Sequence, residues 1–143
     1  MKRLTIAAFL VTLLITSASV FAADEINTVT PSITIEVAPS IAPGPNGNEA
    51  INGKVVGITN PKDYFVVVYA FSNKWWVQPT AEDDLNKTEI NKDLTWENTT
   101  HGGTVYAALL VKKSFSPQAT YAERLLPKVG GDVIAIAKFK VKQ

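Results

Sequence analysis

The sequence predicts an all-β fold, an antiparallel β-sandwich of about seven strands. Two continuous apolar runs, 64–71 and 104–111, are rich in β-branched and aromatic residues, as expected for strands at the centre of a sheet that is covered on both faces. Other short apolar segments recur at intervals of about ten residues with Gly, Pro and Asn between them, and no strands alternate with amphipathic helices. The pattern indicates the strands more firmly than their pairing, so a closed β-barrel is the main alternative.

The N-terminal segment has the pattern of a secretory signal peptide. Lys2 and Arg3 precede an apolar stretch over 6–15, and Val20-Phe21-Ala22 offers small residues at the positions that a signal peptidase reads before a cut after Ala22. We therefore predict a signal peptide over 1–22 and a secreted or periplasmic mature protein without a membrane span. A membrane anchor is the alternative, but an apolar stretch of about ten residues is short against the roughly 20 that span a bilayer.

The remaining chain has the size and composition of one globular domain. Of the 143 residues, 46% are apolar and 19% are charged, which supplies a core and argues against disorder. Residues 23–50 are predicted to contain an N-terminal strand and a Pro- and Gly-rich loop, and residues 51–143 the core of the β-sandwich. Apolar and polar residues alternate over 33–37, which predicts the strand, and the loop follows at 38–48.

Short strands are predicted on both sides of the first apolar run. A strand over 54–58 is followed by a turn at 60–61, after which the strand over 64–71 begins. A further strand over 75–77 follows after a connection short enough for a hairpin or a bulge. Residues 80–95 are mostly polar and are predicted to form a loop with little strand character.

The C-terminal part is predicted to contain one helical turn within 121–126 and a last strand within 132–142. Alternation in this strand places lysines at positions 138, 140 and 142 on the exposed face, where they would discourage edge pairing. The apolar face of the same strand is predicted to consist of Val133, Ala135, Ala137, Phe139 and Val141.

Composition excludes most enzyme chemistry. The chain has 14 basic and 13 acidic residues, a balance that favours neither nucleic acid nor an anionic membrane as a partner. It has no Cys, which removes thiol catalysis, disulfides and Cys-ligated zinc, and a single His, which is too few for a site with two imidazoles. We therefore predict that the protein is not an enzyme and has no catalytic residues, no cofactor and no metal.

The acidic residues favour a solvated loop over a site. Glu82, Asp83 and Asp84 are adjacent in a polar segment, and adjacent carboxylates rarely reach the separation that glycoside hydrolysis uses. With Asp93 or Asp63 they could supply oxygen ligands to calcium, but their spacing lacks the pattern of a dedicated calcium loop.

Two Gly pairs are predicted to be turns. His101 precedes Gly102-Gly103 and has no Ser or Cys nucleophile in a recognisable elbow, so we expect a turn histidine with a hydrogen-bonded ring. Gly102-Gly103 and Gly130-Gly131 both lack the strand-then-helix context of a phosphate-binding loop.

Aromatic residues supply the best candidates for a binding site. Trp and Tyr combine a large apolar face with a polar edge, which suits stacking on a sugar ring when the side chain is exposed. Trp75 and Trp76 are neighbours in a predicted strand and point to opposite faces, so one is expected in the core and the other exposed or under a loop. Gln78 lies close by and could bind sugar hydroxyls, although it could equally cap a turn. The candidate ligand-binding residues are Trp75, Trp76, Gln78 and Trp96, with Tyr64, Tyr69 and Tyr106 as further aromatic candidates.

A series of short motifs runs in order through residues 51–137. The motifs are Gly53-Lys54-Val55, Asn60-Pro61, Tyr64 with Val66-Val67-Val68-Tyr69-Ala70, Trp75-Trp76-Val77-Gln78-Pro79, Ile90 with Trp96, Thr100-His101-Gly102-Gly103, Tyr106-Ala107-Ala108-Leu109-Leu110-Val111 and Leu126-Pro127. This series resembles a small bacterial β-sandwich accessory module of secreted polysaccharide-degrading enzymes and related exoproteins. The resemblance implies a β-sandwich that accompanies a catalytic domain, whereas here the module stands alone behind the predicted signal peptide.

The sequence leaves two functions open. The first is a secreted, non-catalytic binding domain for polysaccharide, in which an exposed Trp stacks on the glycan and Gln78, Asn73 or Lys74 supplies polar contacts. The second is a structural or protein-interaction domain whose aromatic residues pack in the core. In the second case, the segment 26–37 would pair with another secreted protein or with another copy of the chain.

Overall fold

The computed structural model of the chain describes residues 29–40, 47–79 and 86–142. The signal peptide predicted for 1–22 and the acidic run Glu82-Asp83-Asp84 lie outside the described residues. Within them, no helix is long and apolar enough to cross a membrane.

The described residues form two antiparallel sheets, which confirms the predicted all-β sandwich. The strands are β1 (Ser32–Ile33), β2 (Glu49–Val56), β3 (Tyr64–Ser72), β4 (Lys74–Gln78), β5 (Thr95–Thr100), β6 (Val105–Lys112), β7 (Thr120–Tyr121) and β8 (Val133–Lys140). The three-stranded sheet has the order β1-β2-β5, and the five-stranded sheet has the order β7-β4-β3-β6-β8. Every pair of neighbouring strands is antiparallel.

The two apolar runs form the paired central strands β3 and β6, as predicted. Their register extends from Tyr64↔Lys112 to Phe71↔Val105, with β4 on one side and β8 on the other. Side chains are buried on both faces of this pair, so each face needs a cover of its own.

One face of the five-stranded sheet packs against the three-stranded sheet. We call the buried residues between the sheets the inner cluster: Ile33, Ile51, Val55, Val66, Val68, Ala70, Ile90, Trp96, Tyr106, Ala108, Leu110, Ala135 and Val141. Within the three-stranded sheet, a Cβ at Gly53 would collide with the carbonyl oxygen of Thr34, which follows β1, and press on the ring of Trp96 in β5. Glycine is therefore required there by space.

The opposite face of the five-stranded sheet is covered by residues 113–131, which we call the covering segment. The outer cluster beneath it consists of Val67, Tyr69, Trp75, Val77, Ala107, Leu109, Val111, Leu126 and Val133, with Phe115 and Tyr121 packed against it. The covering segment contains β7 and a 3₁₀ turn at Glu123–Leu125, in agreement with the helical turn predicted within 121–126.

Two predicted turns are confirmed. The Oδ1 atom of Asn60 accepts a hydrogen bond from the backbone N–H of Lys62 at 3.2 Å and begins a 3₁₀ turn at Pro61–Asp63. A tight hairpin joins β3 to β4 around Asn73, whose φ of 62° lies in the left-handed region that Asn tolerates.

The prediction for the last strand is wrong at its beginning. A register shift opposite Leu110 and Val111 places Val133 in the outer cluster and Ile134 against the inner cluster. One extra residue therefore reverses the faces, as a β-bulge does. From Ala135 onward the predicted alternation holds, and the three lysines at 138, 140 and 142 are exposed.

The first strand pairs within the chain. Ser32 and Ile33 pair with β2, and Val37 forms an isolated bridge with Asn52 of the same strand. The structure thus supplies an intramolecular partner for the described part of the segment 26–37, where the interaction hypothesis placed another protein. β2 itself begins at Glu49, earlier than the predicted strand over 54–58.

Candidate functional site

The strand β4 places its two tryptophans in opposite environments. Trp75 is 4% exposed, whereas Trp76 is 39% exposed. This is the in–out arrangement that alternation within a strand predicts, and it leaves Trp76 as the exposed member of the pair.

Trp75 connects the covering segment to the sheet by a hydrogen bond and by packing. Its ring lies 5.1 Å from that of Phe71 between centroids, and its Nε1 donates a hydrogen bond of 3.0 Å to the backbone oxygen of Glu123. With one face in the outer cluster and its polar edge bonded, Trp75 has a structural role.

Trp76 lies on the inner-cluster face of the five-stranded sheet, but near the edge of that sheet. Its cross-strand neighbours are the small Ala70 on β3 and Thr120 on the two-residue edge strand β7. The Nζ atom of Lys74 lies 4.1 Å from the centroid of the indole ring, in the geometry of a cation–π contact. Trp76 is therefore an exposed aromatic ring with an ammonium group over it and a threonine as cross-strand neighbour.

Gln78 is buried, and its side-chain amide forms hydrogen bonds within the protein. It is 1% exposed, and its Nε2 donates to the backbone oxygen of Trp76 at 3.3 Å. Its Oε1 accepts a hydrogen bond from the backbone N–H of His101 at 2.8 Å and lies 3.2 Å from the ring atom Nδ1 of His101. Gln78 thus ties β4 to the connection between β5 and β6, and the expected hydrogen-bonded role of His101 is confirmed.

Trp96 lies in the inner cluster with 1% of its surface exposed. Its partner across the β2–β5 ladder is Gly53, the position where the chain has no room for a side chain. The geometry assigns Trp96 to packing between the sheets. Of the four candidate ligand-binding residues, only Trp76 presents its ring to solvent.

Two of the tyrosine candidates use their hydroxyl groups for hydrogen bonds inside the protein. The hydroxyl of Tyr69 donates to the backbone oxygen of Gln118 in the covering segment at 3.0 Å. The hydroxyl of Tyr106 accepts the N–H of Gly103 at 3.2 Å and lies 3.5 Å from the backbone oxygen of His101. Burial raises the pKa of both tyrosines above the ordinary value, so both hydroxyls stay protonated.

A cleft that the sequence analysis missed lies at the start of β3. Its volume is about 390 Å³, and it lies between the 3₁₀ turn at Pro61–Asp63, residues 89–92 and the residue that follows β6. It is lined by Pro61, Lys62, Tyr64, Phe65, Glu89, Ile90, Asn91, Lys92 and Lys113. The lysines are far apart in the sequence, and pairing of β3 with β6 and with Thr88 brings them together.

A more open groove of about 610 Å³ lies on the covering segment. Leu126, Pro127, Val129 and Ile136 supply its apolar lining, and Leu125 nearby is 67% exposed. Val129 is 63% exposed. Exposed aliphatic side chains of this kind beside a groove are a common feature of protein-binding surfaces.

Two carboxylates of the described residues are hydrogen-bonded within their own loops. Asp63 accepts a hydrogen bond from Nδ2 of Asn60 at 3.0 Å, and Asp93 accepts one from the hydroxyl of Thr95 at 2.7 Å. The latter bond lowers the pKa of Asp93. Within 29–40, 47–79 and 86–142, no three residues of the His, Cys, Asp and Glu types are grouped closely enough to hold a metal.

Comparison with known proteins gives no match: no family model fits the chain, and no curated protein or solved structure is significantly similar to it. The resemblance to accessory modules of polysaccharide-degrading enzymes therefore stays a prediction.

Proposed function

We propose that the chain is a secreted, non-catalytic binding domain that recognises carbohydrate through the exposed ring of Trp76. The observation that carries the proposal is the exposure of Trp76, at 39%, on a strand where its neighbour Trp75 is buried. Secretion rests on the signal-peptide pattern of residues 1–22.

The surroundings of Trp76 support recognition by stacking. Trp75 and Gln78 fix β4 on both sides of Trp76 through hydrogen bonds to the covering segment and to His101. A rigid aromatic side chain loses little conformational entropy on binding. The cross-strand neighbour Ala70 has a small side chain, and the ammonium of Lys74, which lies over the ring of Trp76, can donate to a sugar hydroxyl.

The non-catalytic part of the proposal rests on how the polar groups are used. The imidazole of the one histidine of the chain contacts Gln78, and Asp63 and Asp93 accept hydrogen bonds within their own loops. Purified protein should therefore release no sugar from the glycans that it binds. Turnover that a single Asp or Glu substitution abolishes would contradict this part of the proposal.

Titration calorimetry and affinity electrophoresis against a panel of neutral and acidic polysaccharides test the binding. Trp76→Ala should weaken binding by about 1–3 kcal/mol, because a surface aromatic contributes to a contact more than to the fold. Trp76→Phe should retain part of the affinity, and Val56→Ala, at a side chain that is 47% exposed, is the matched control. The proposal fails if the wild-type protein retains no glycan at millimolar concentration, or if Trp76→Ala binds as the wild type does.

A protein-interaction domain is the second candidate. It is favoured by the exposed Leu125 and Val129 beside the groove on the covering segment, and by the burial of Trp75 and Trp96. This candidate predicts that the wild-type chain self-associates in sedimentation velocity experiments and that Leu125→Ser with Val129→Ser abolishes the association. A monomeric wild-type chain that binds glycan would favour the first candidate.

A further inference from the structure

We propose that the cleft at the start of β3 binds a sugar unit that carries a carboxylate, so that the chain prefers acidic polysaccharides. The inference rests on the proposed function and adds to it a second contact site and a class of ligand. The cleft site is independent of Trp76. Ala70 is the cross-strand partner of Trp76, and the six residue steps from Tyr64 to Ala70 span roughly 20 Å of extended strand.

The cleft has the size and the apolar wall of a site for a small ligand. Its volume of about 390 Å³ lies within the range of ordinary ligand pockets. Tyr64 and Phe65 are partly exposed and line the cleft together with Ile90, whose side chain belongs to the inner cluster. Tyr64 packs against the inner cluster on the side of Ile90, whereas Phe65 packs against the outer cluster. The ring of Tyr64 beside Ile90 can therefore pack against the apolar face of a sugar ring.

The charge of the cleft favours an anion. Lys62, Lys92 and Lys113 line it, against the single carboxylate of Glu89. Among the described residues, the one ion pair joins Lys54 to Glu36 at 3.6 Å, so none of the three cleft lysines has a described carboxylate within 4.0 Å. A ligand carboxylate would form charge-assisted hydrogen bonds with these ammonium groups.

Polar groups in the same cleft suit a sugar better than a simple anion. Asn91 is held by hydrogen bonds from its backbone N–H and its Nδ2 to Thr95, and the carboxylate of Glu89 can accept from a hydroxyl. The negative charge of Glu89 also disfavours a ligand unit that carries more than one negative charge. One carboxylate per sugar unit, flanked by hydroxyls, matches this set of groups.

The probe pair is polygalacturonate and its fully methyl-esterified form, which have the same backbone with and without the charge. We expect wild-type protein to bind the acid form at least about tenfold more tightly, with an affinity that falls as salt is added. Combined replacement Lys62→Gln, Lys92→Gln and Lys113→Gln should weaken binding of the acid form by about 10- to 100-fold and leave binding of the ester unchanged.

The matched control carries the same change of charge elsewhere on the surface. Lys128→Gln, Lys140→Gln and Lys142→Gln replace three exposed lysines outside the cleft and should change the affinity by less than about threefold. An equal loss of affinity in this control would show that the effect comes from the overall charge of the protein, and it would overturn the cleft site. Equal binding of polyglutamate would also overturn it, because the site would then recognise any carboxylate polymer.

The result separates the two proposals. Wild-type protein that binds neutral glycans through Trp76 and has no preference for the acid form contradicts the cleft proposal alone. Protein that binds neither form, nor any neutral glycan, contradicts the proposed function itself. Retention of the acid form by Trp76→Ala, together with loss of neutral glycans, would support two separate sites.

Discussion

The two faces of the five-stranded sheet are covered in different ways. The outer face lies under the irregular covering segment, which places Phe115, Tyr121 and Leu126 on the outer cluster. The inner face lies under the three-stranded sheet, which has fewer strands than the sheet that it covers. An irregular segment can extend over an edge strand, whereas a short sheet leaves part of a wider one open.

This difference is largest at β4. On the outer face, Trp75 is covered and bonded to Glu123 of the covering segment. On the inner face, Gln78 is buried and contacts His101, which lies just beyond the end of β5. Trp76, two residues before Gln78, is exposed. The exposed ring of Trp76 thus lies where the smaller sheet ends, which is why one strand carries both a core residue and the candidate binding residue.

Substitution of a central valine by Asp should have the largest effect, and a similar one on each face. Val67 faces the outer cluster and Val68 the inner cluster, and both are fully buried. Val67→Asp or Val68→Asp would bury an unpaired charge at a cost of more than about 4 kcal/mol and should unfold the domain. Circular dichroism during thermal unfolding measures the loss.

The matched control for these variants is Val56→Asp, at a valine that is 47% exposed. It should change the free energy of unfolding by less than about 1 kcal/mol. A folded Val67→Asp variant with the wild-type melting temperature would show that the covering segment does not bury the outer face.

Removal of Trp75 should have the next largest effect. Trp75→Ala deletes a large side chain from the outer cluster and the hydrogen bond to Glu123, and should cost about 3–5 kcal/mol of stability. Trp76→Ala, the neighbouring substitution on the open face, should cost less than about 1 kcal/mol. Urea unfolding of the two variants compares them, and equal losses would contradict the difference between the faces.

Much of this arrangement could be predicted from sequence, and the failures have local causes. The runs at 64–71 and 104–111 were correctly predicted as central strands because burial on both faces leaves a continuous apolar pattern. Alternation also predicted that Trp75 and Trp76 separate, but not which one is buried, because that depends on the covering segment.

The cleft and the role of Gln78 could not be predicted in the same way. Lys62, Lys92 and Lys113 come together only through the register of β3 with β6 and the bridge from Val66 to Thr88, and the sequence specified neither of these. Gln78 resembled a surface residue because it is polar, and its burial depends on the main chain of His101, which sequence patterns do not reveal. The prediction of the face on which Val133 lies was wrong, because simple alternation of apolar and polar residues does not reveal a β-bulge.

Loss of the Tyr69 hydroxyl should have a smaller effect than removal of Trp75, and this effect should depend on pH. Burial raises the pKa of Tyr69 in the folded protein above the ordinary value of about 10, which the unfolded chain retains. As pH rises above about 10, the unfolded state loses this proton first, so the free energy of unfolding falls. Tyr69→Phe should cost about 1 kcal/mol at neutral pH, through loss of the bond to Gln118, and should reduce the decline at alkaline pH.

Urea unfolding of the wild type and of Tyr69→Phe at a series of pH values from about 8 to 11 measures this difference, because titration of the other groups is common to both proteins. Parallel curves over the whole range would show that the Tyr69 hydroxyl is not buried beneath the covering segment.

Fluorescence quenching by acrylamide tests most directly whether the inner face is open at Trp76 and serves there as a binding surface. The chain has three tryptophans, and Trp75 and Trp96 are 4% and 1% exposed, so the readily quenched emission should come from Trp76. We expect Trp76→Phe to lose the readily quenched fraction, and a bound polysaccharide to protect that fraction in the wild-type protein. If Trp76→Phe is quenched as the wild type is, or if a glycan that binds leaves the quenching of Trp76 unchanged, the proposed binding surface is contradicted.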